Sequence, residues 1–261
     1  MIRIRGGFLV VLALAASMVV IFLALPLVTI LLGTSPLGMA RTLGDPEALR
    51  SLVLTFWAAT LATLLAFLGG VPLAYLLARR HFPGKRILEG LLDLPVIIPH
   101  TAAGIALLMV FGSRGVLGRW LAPLGVFFTD RLAGIVVVMI FVGMPYLVNL
   151  SREAFALIDP ELEAIAQVEG ASPWQAFLWV SFPLALRGVG AGMLMMWARG
   201  VSEFGAVVIL AYHPKILPVL VYERFEGFGL SAAQPLAALL VAAALVLFIS
   251  LRWLISARES E

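Results

Sequence analysis

The chain has no cysteine, so it can form no disulfide, thiolate nucleophile or cysteine-based metal site. Its three histidines, His81, His100 and His213, are scattered and do not make a metal site. Charge is also scarce: Asp, Glu, Lys and Arg make up 13% of 261 residues, against about 25% in an average soluble domain. No G-x-x-x-x-G-K-[ST] occurs, and Pro83-Gly84-Lys85-Arg86 fails that pattern, so the chain cannot bind ATP through a P-loop. No paired carboxylates, nucleophile–base set or metal cluster suggests catalysis. No cofactor and no nucleic-acid partner are expected. What the chain has is apolar sequence, 62% of its residues. It reads as an integral membrane protein, and its net charge of +3 says little about partners, because basic residues also set topology.

The apolar runs predict an all-α fold with six membrane spans, at about 8–32, 51–78, 91–111, 132–150, 184–211 and 235–255, in one membrane domain over 1–261. The first run, about 25 residues, is too long for a signal-peptide core and long enough to cross a bilayer. Arg3 and Arg5 precede it, and Arg79, Arg80, Lys85 and Arg86 form the strongest basic cluster after the second span. The positive-inside rule places both groups in the cytoplasm, which puts both termini inside. Residues 112–131 and 212–234 are then outer loops, and no regulatory domain is expected after Ile255.

Pro95 and Pro99 remove two helical hydrogen bonds and predict a kink or unwound start in the third span. Broken helices within a membrane face protein or a water-filled cavity. His100 and Thr101 follow the break and either re-satisfy the freed backbone or contact substrate. In the fifth span Arg199 and Glu203 are four apart and share a helix face, with Ser202 beside them. Ionisable groups at this depth usually face a bundle interior or an aqueous path, so the pair either locks the fold or lines and gates a pathway. Gly188, Gly190 and Gly192 allow close helix packing there.

The longest polar-bearing stretch is Asp159–Pro183. Asp159 can cap a helix whose first residue is Pro160, and Glu161 and Glu163 complement the helix dipole in its first turn. Leu162, Ile165, Ala166 and Glu169 recur at helical spacing, and Gly170 can end the helix left-handed. Ser172 and Gln175 form a capping box for a second helix, which Pro183 is expected to interrupt. The hairpin is acidic, whereas an anionic lipid surface favours Lys and Arg, so a protein partner fits it better.

This segment resembles the E-A-A-x-x-x-G loop of ABC importer permeases, followed after nine residues by I-x-L-P. Gly170 takes the glycine position and Val180-Ser181-Phe182-Pro183 the I-x-L-P position. The first three positions hold Ala164-Ile165-Ala166, with the glutamate displaced to Glu163. The resemblance implies a coupling helix that docks on a separate ATPase subunit through Glu161, Glu163, Ala164, Ile165, Ala166, Gly170 and Ala171. Asp93–Leu108 and Ala198–Val207 look like oxyanion-importer permeases, most of all the molybdate/tungstate branch, with sulfate/thiosulfate permeases next. The resemblance further implies a permease homodimer, two ATPase subunits and an external oxyanion-binding protein. His100, Thr101, Arg199, Ser202 and Glu203 would line or gate the path. An ATP-independent secondary transporter is the rival reading, and it would usually show paired broken helices; the sequence offers one clear break, at Pro95–Pro99.

Overall fold

The computed structural model describes residues 6–257. Arg3 and Arg5, on which the placement of the first helix partly rests, lie outside the described residues, as do residues 258–261. Every regular element among the described residues is helical. The chain runs through α1 (Gly6–Leu32), α2 (Pro36–Leu43), α3 (Pro46–Arg79), α4 (Lys85–Ile97), α5 (His100–Phe111) and the short α6 (Gly118–Leu121). It continues through α7 (Leu132–Ala156), α8 (Pro160–Val168), α9 (Pro173–Ala176), α10 (Phe182–Val201), α11 (Gly205–Leu210), α12 (Leu217–Phe228) and α13 (Leu230–Ala257). Five stretches are long and apolar enough to cross a membrane, and α4 with α5 makes a sixth if the bent pair counts as one.

α3, α7 and α10 form the packed centre. In lipid no strong hydrophobic force joins helices, so close packing of small residues does it. Ala58, Ala59, Ala62, Ala66 and Ala74 are buried along α3. A Cβ on Gly70 of α3 would stand 2.9 Å from Leu147 of α7, and one on Gly143 of α7 would stand 2.7 Å from Met196 of α10. Gly188 faces Ala154 and Gly192 faces the Leu147 carbonyl, while Gly190 lines a cleft with Thr60, Thr63 and Trp197. Two buried threonines of α3 find partners within their own helix: Thr55 donates to the Ser51 carbonyl at 2.6 Å and Thr63 to that of Ala59 at 2.8 Å. Thr55 also accepts from the Leu217 amide, tying the start of α12 to α3.

Several boundaries differ from the sequence expectation. α3 starts at Pro46, because the Asp45 carboxylate accepts from the Glu47 amide at 2.9 Å and Pro46 is pre-set for a first helical position. The presumed loops 33–50, 112–131 and 212–234 contain α2, α6 with a 3₁₀ turn at Ala122–Leu124, and α12. α7 runs six residues past 150, to Ala156. Pro183 does not interrupt its helix. Phe177–Ser181 widens into a π-helical turn just before it, and one continuous helical segment runs from Pro173 to Val201.

Two breaks matter most. The third span is two helices, α4 and α5, meeting at 117°. Ile98 is extended (ψ 145°), as a residue before proline prefers, and Pro99 stands at the N-cap of α5, whereas Pro95 is tolerated inside α4. The fifth span also breaks, at Ser202–Phe204, between α10 and α11. The apolar pattern predicts one continuous span across 184–211, and no proline marks this second break.

Candidate functional site

The hairpin at 159–183 forms as its caps dictate. The Asp159 carboxylate accepts from the Glu161 amide at 3.0 Å. At the other end Gly170 is left-handed (φ 100°), the Gly170 amide bonds the Gln167 carbonyl and the Ala171 amide bonds that of Ala166. This is a Schellman closure, and it fixes the turn into α9. There Ser172 accepts from the Gln175 amide and Gln175 accepts from the Ser172 amide, so both halves of the capping box are made.

The orientation of α8 departs from an ordinary amphipathic helix. Its one buried side chain is Glu163, while Leu162, Ile165 and Val168 are exposed, Val168 by 86%. Glu161, Ala164, Gln167, Glu169 and Gly170 are exposed too, and Ala166 and Ala171 are half-buried. The Glu163 carboxylate accepts from Ser181 at 2.5 Å, from the Tyr75 hydroxyl at 2.7 Å and from Arg79 Nε at 2.8 Å. Burial pushes this carboxyl up, but the Ser181, Tyr75 and Arg79 hydrogen bonds outweigh it and hold it below the usual value. Arg79 also donates through Nη1 to the Ile158 carbonyl at 3.0 Å. Tyr75 is wedged between Phe155 and Phe177, at 5.3 and 4.7 Å between ring centroids. Sequence reasoning missed Tyr75, Arg79 and Ser181. In the sequence Arg79 is one of a basic cluster, and nothing local marks a partner 84 residues away.

The second group of expected residues converges where the two breaks meet. Arg199 Nη2 lies 2.6 Å from Glu203 Oε2 and within 3.0 Å of the His100 ring nitrogens. Glu203 is 1% exposed, Arg199 17% and His100 46%. The other Glu203 oxygen accepts from the Ala206 amide at 2.9 Å, capping α11. Ser202 accepts from Arg199 Nη1 at 3.3 Å and donates to the Arg199 carbonyl at 3.0 Å. α5 and α11 lie close enough that a Cβ on Gly104 would stand 2.8 Å from Ile209, and one on Gly205 3.0 Å from His100. Thr101 adjoins the junction through its backbone. Arg199 and Glu203 therefore pair, as their spacing predicted, and the junction presents a charge-balanced, half-exposed polar surface.

At the far end of the bundle a third set of charges is mutually satisfied. Lys215 reaches Glu47 at 3.1 Å and Glu223 at 2.7 Å, Arg224 reaches Glu47 at 2.8 Å, and Tyr212 donates to Glu223 at 2.7 Å. The Glu223 hydrogen bond lifts the Lys215 ammonium above its usual range, and Lys215 with Tyr212 holds the Glu223 carboxyl down.

Residues 70–259, which include both sites, match the family described as binding-protein-dependent transport system inner membrane component. The chain belongs to this family. It is thus a multi-pass membrane permease, a transport component and not an ATPase. Over 261 residues it is 39% identical to the molybdate/tungstate transport system permease protein WtpB of Thermococcus kodakarensis, covering 98% of this chain and 99% of that one. It is 29% identical to the sulfate transport system permease protein CysT of Escherichia coli, covering 97% and 94%. Its fold superposes with a TM-score of 0.76 on a bacterial alginate ABC transporter solved in complex with an alginate pentasaccharide-bound periplasmic protein, at 18% identity and 98% and 96% coverage. That likeness establishes the ABC permease fold. The second helix break is part of this permease's fold, so paired breaks do not mark it as a secondary transporter.

Proposed function

We propose that this permease imports molybdate or tungstate, driven by ATP hydrolysis on separate subunits. The observation that carries the coupling part is α8: a capped helix with its apolar side chains bared and its one buried side chain an ionic anchor. A helix that exposes Leu162, Ile165 and Val168 to water leaves them for a partner. Glu161, Ala164, Ile165, Ala166, Gly170 and Ala171 are the residues that would meet the ATPase, and Glu163 would hold the helix from behind. Two copies of the chain form the path, two ATPase subunits dock on their α8 helices, and an oxyanion-binding protein docks at the opposite face near α12. Both termini and α8 are cytoplasmic. The choice of anion is supported by 39% identity to a molybdate/tungstate permease against 29% to a sulfate permease at similar coverage.

Arg199, Glu203, Ser202, His100 and Thr101 line or gate the path. A ligand shifts an alternating-access equilibrium only by its different affinity for the two states, and ATP and the loaded binding protein supply that difference. The path itself need hold the anion only weakly.

The test is uptake of labelled molybdate into proteoliposomes holding the permease and its ATPase, with the binding protein outside. ATP-dependent uptake blocked by tungstate and not by sulfate is expected. Blocking by sulfate would move the permease to the sulfate/thiosulfate reading, and uptake without ATP would overturn the role given to α8.

A further inference from the structure

Resting on the coupling role of α8, we infer that Arg79 and Tyr75 of α3, with Ser181 of the π turn, are positioning residues that carry α8 movement into the membrane helices. α8 has no apolar side chain fully buried beneath it, so apolar packing gives it little grip on α3. Its polar tie to the rest of the bundle is the Glu163 carboxylate, which accepts twice from α3 and once from the π turn that leads into α10. Arg79 grips the segment at two points, the Ile158 carbonyl just before the Asp159 cap and Glu163 in the first turn. The side chains of Arg79 and Glu163 are 10% and 11% exposed, so water does not compete strongly for this contact. Charge-assisted hydrogen bonds are directional and are about twice as strong as neutral ones, so the contact fixes both position and orientation. The π turn adds width to its helix where Ser181 meets Glu163, and so lets one carboxylate touch two spans.

None of the three residues lies on the exposed face of α8. Their loss should therefore separate ATPase docking from transport. Coupling free energies of about 1–3 kcal/mol correspond to roughly 5- to 150-fold effects, so a loss of about fivefold or more in uptake per ATP is expected.

The experiment uses the permease–ATPase complex in proteoliposomes with the binding protein and labelled molybdate. It measures retained ATPase, ATP hydrolysis and molybdate taken up per ATP. Arg79→Gln should retain the ATPase and keep hydrolysis while uptake per ATP falls at least about fivefold. Tyr75→Phe keeps the ring contacts with Phe155 and Phe177 and loses one hydrogen bond; it should show a smaller loss of the same kind, and it remains informative if Arg79→Gln folds poorly. Arg79→Gln with Glu163→Gln should be no worse than the worse single change, because both act through one contact. Unchanged uptake per ATP in Tyr75→Phe and Arg79→Gln overturns the inference while the importer reading stands. Loss of the ATPase from either variant also overturns it, since that makes the residues part of docking. Absence of ATP-driven uptake with the unaltered permease overturns both.

Discussion

Two of the contacts of Glu203 make opposite demands on any replacement. Its Oε2 neutralises Arg199 at 2.6 Å, and its Oε1 caps α11 through the Ala206 amide at 2.9 Å. Glu203→Gln keeps an acceptor for the amide but removes the charge. Arg199, 17% exposed, is then left without its counter-charge. Removing one partner of a buried pair costs about 3–5 kcal/mol. For a chain of this size about 2–4 °C accompanies each kcal/mol, so the unfolding midpoint in detergent should drop by about 6 °C or more. Adding Arg199→Met removes the stranded cation while keeping similar length. Replacing a whole buried pair is often neutral or stabilising, so the double variant should recover most of the loss. Tryptophan fluorescence during heating reads this out. The same two variants are then tested for ATP-driven molybdate uptake. The double variant, stable but without the charged junction, should fail to transport. A midpoint shift below about 2 °C for Glu203→Gln would refute the energetic reasoning, because it corresponds to no more than about 1 kcal/mol. Full uptake by the double variant would make the pair purely structural and remove Arg199 from the path.

Other outcomes follow from the hairpin and the termini of its helices. Gly170 has φ 100°, where a side chain costs about 1–2 kcal/mol, so Gly170→Ala should weaken ATPase retention modestly. Gly170→Pro, which needs φ near −65°, should abolish retention while the spans stay folded, read by co-purification and circular dichroism. Glu163 has a lowered pKa, so its contribution is complete above its ordinary value of 4.5 and is lost as pH falls through the lower folded value. The tie between α8 and α3, followed by the mobility of a spin label at Val168, should therefore be constant above about pH 5 and loosen only under stronger acid. The purified permease alone should hydrolyse no ATP in a phosphate-release assay, since no P-loop occurs in its sequence.

The hairpin was the most legible part of the chain, because capping is local. Asp159, Pro160, Gly170, Ser172 and Gln175 each act on backbone within a few residues, and each does so in the fold. The break at Pro99 was legible for the same reason. The direction in which α8 faces was not. Its residues at helical spacing mark an apolar side, but nothing local shows that the buried side chain is Glu163, whose partners come from α3 and from the π turn. The continuity through Pro183 was equally hidden, since whether a proline interrupts a helix depends on whether the turn before it can widen.

The break at Ser202–Phe204 shows why the remaining part escaped notice. No proline removes a donor there; the Glu203 side chain captures the Ala206 amide and Ser202 captures the Arg199 carbonyl, and these bonds replace helical ones. At membrane depth a break is tolerated where such bonds take over from the helical ones. A neutral acceptor could cap α11 equally well, so capping alone does not call for a carboxylate. The carboxylate is explained by Arg199. An isolated arginine would be costly there and, on the proposed reading, would hold a passing dianion too firmly to release it. Conduction needs binding that is weak enough to leave. Pairing Arg199 with Glu203 leaves donors on Arg199, Ser202 and half-exposed His100 beside a balanced pair. The same carboxylate thus makes the break and offsets the arginine's charge, and on the proposed reading it keeps the anion's stay short.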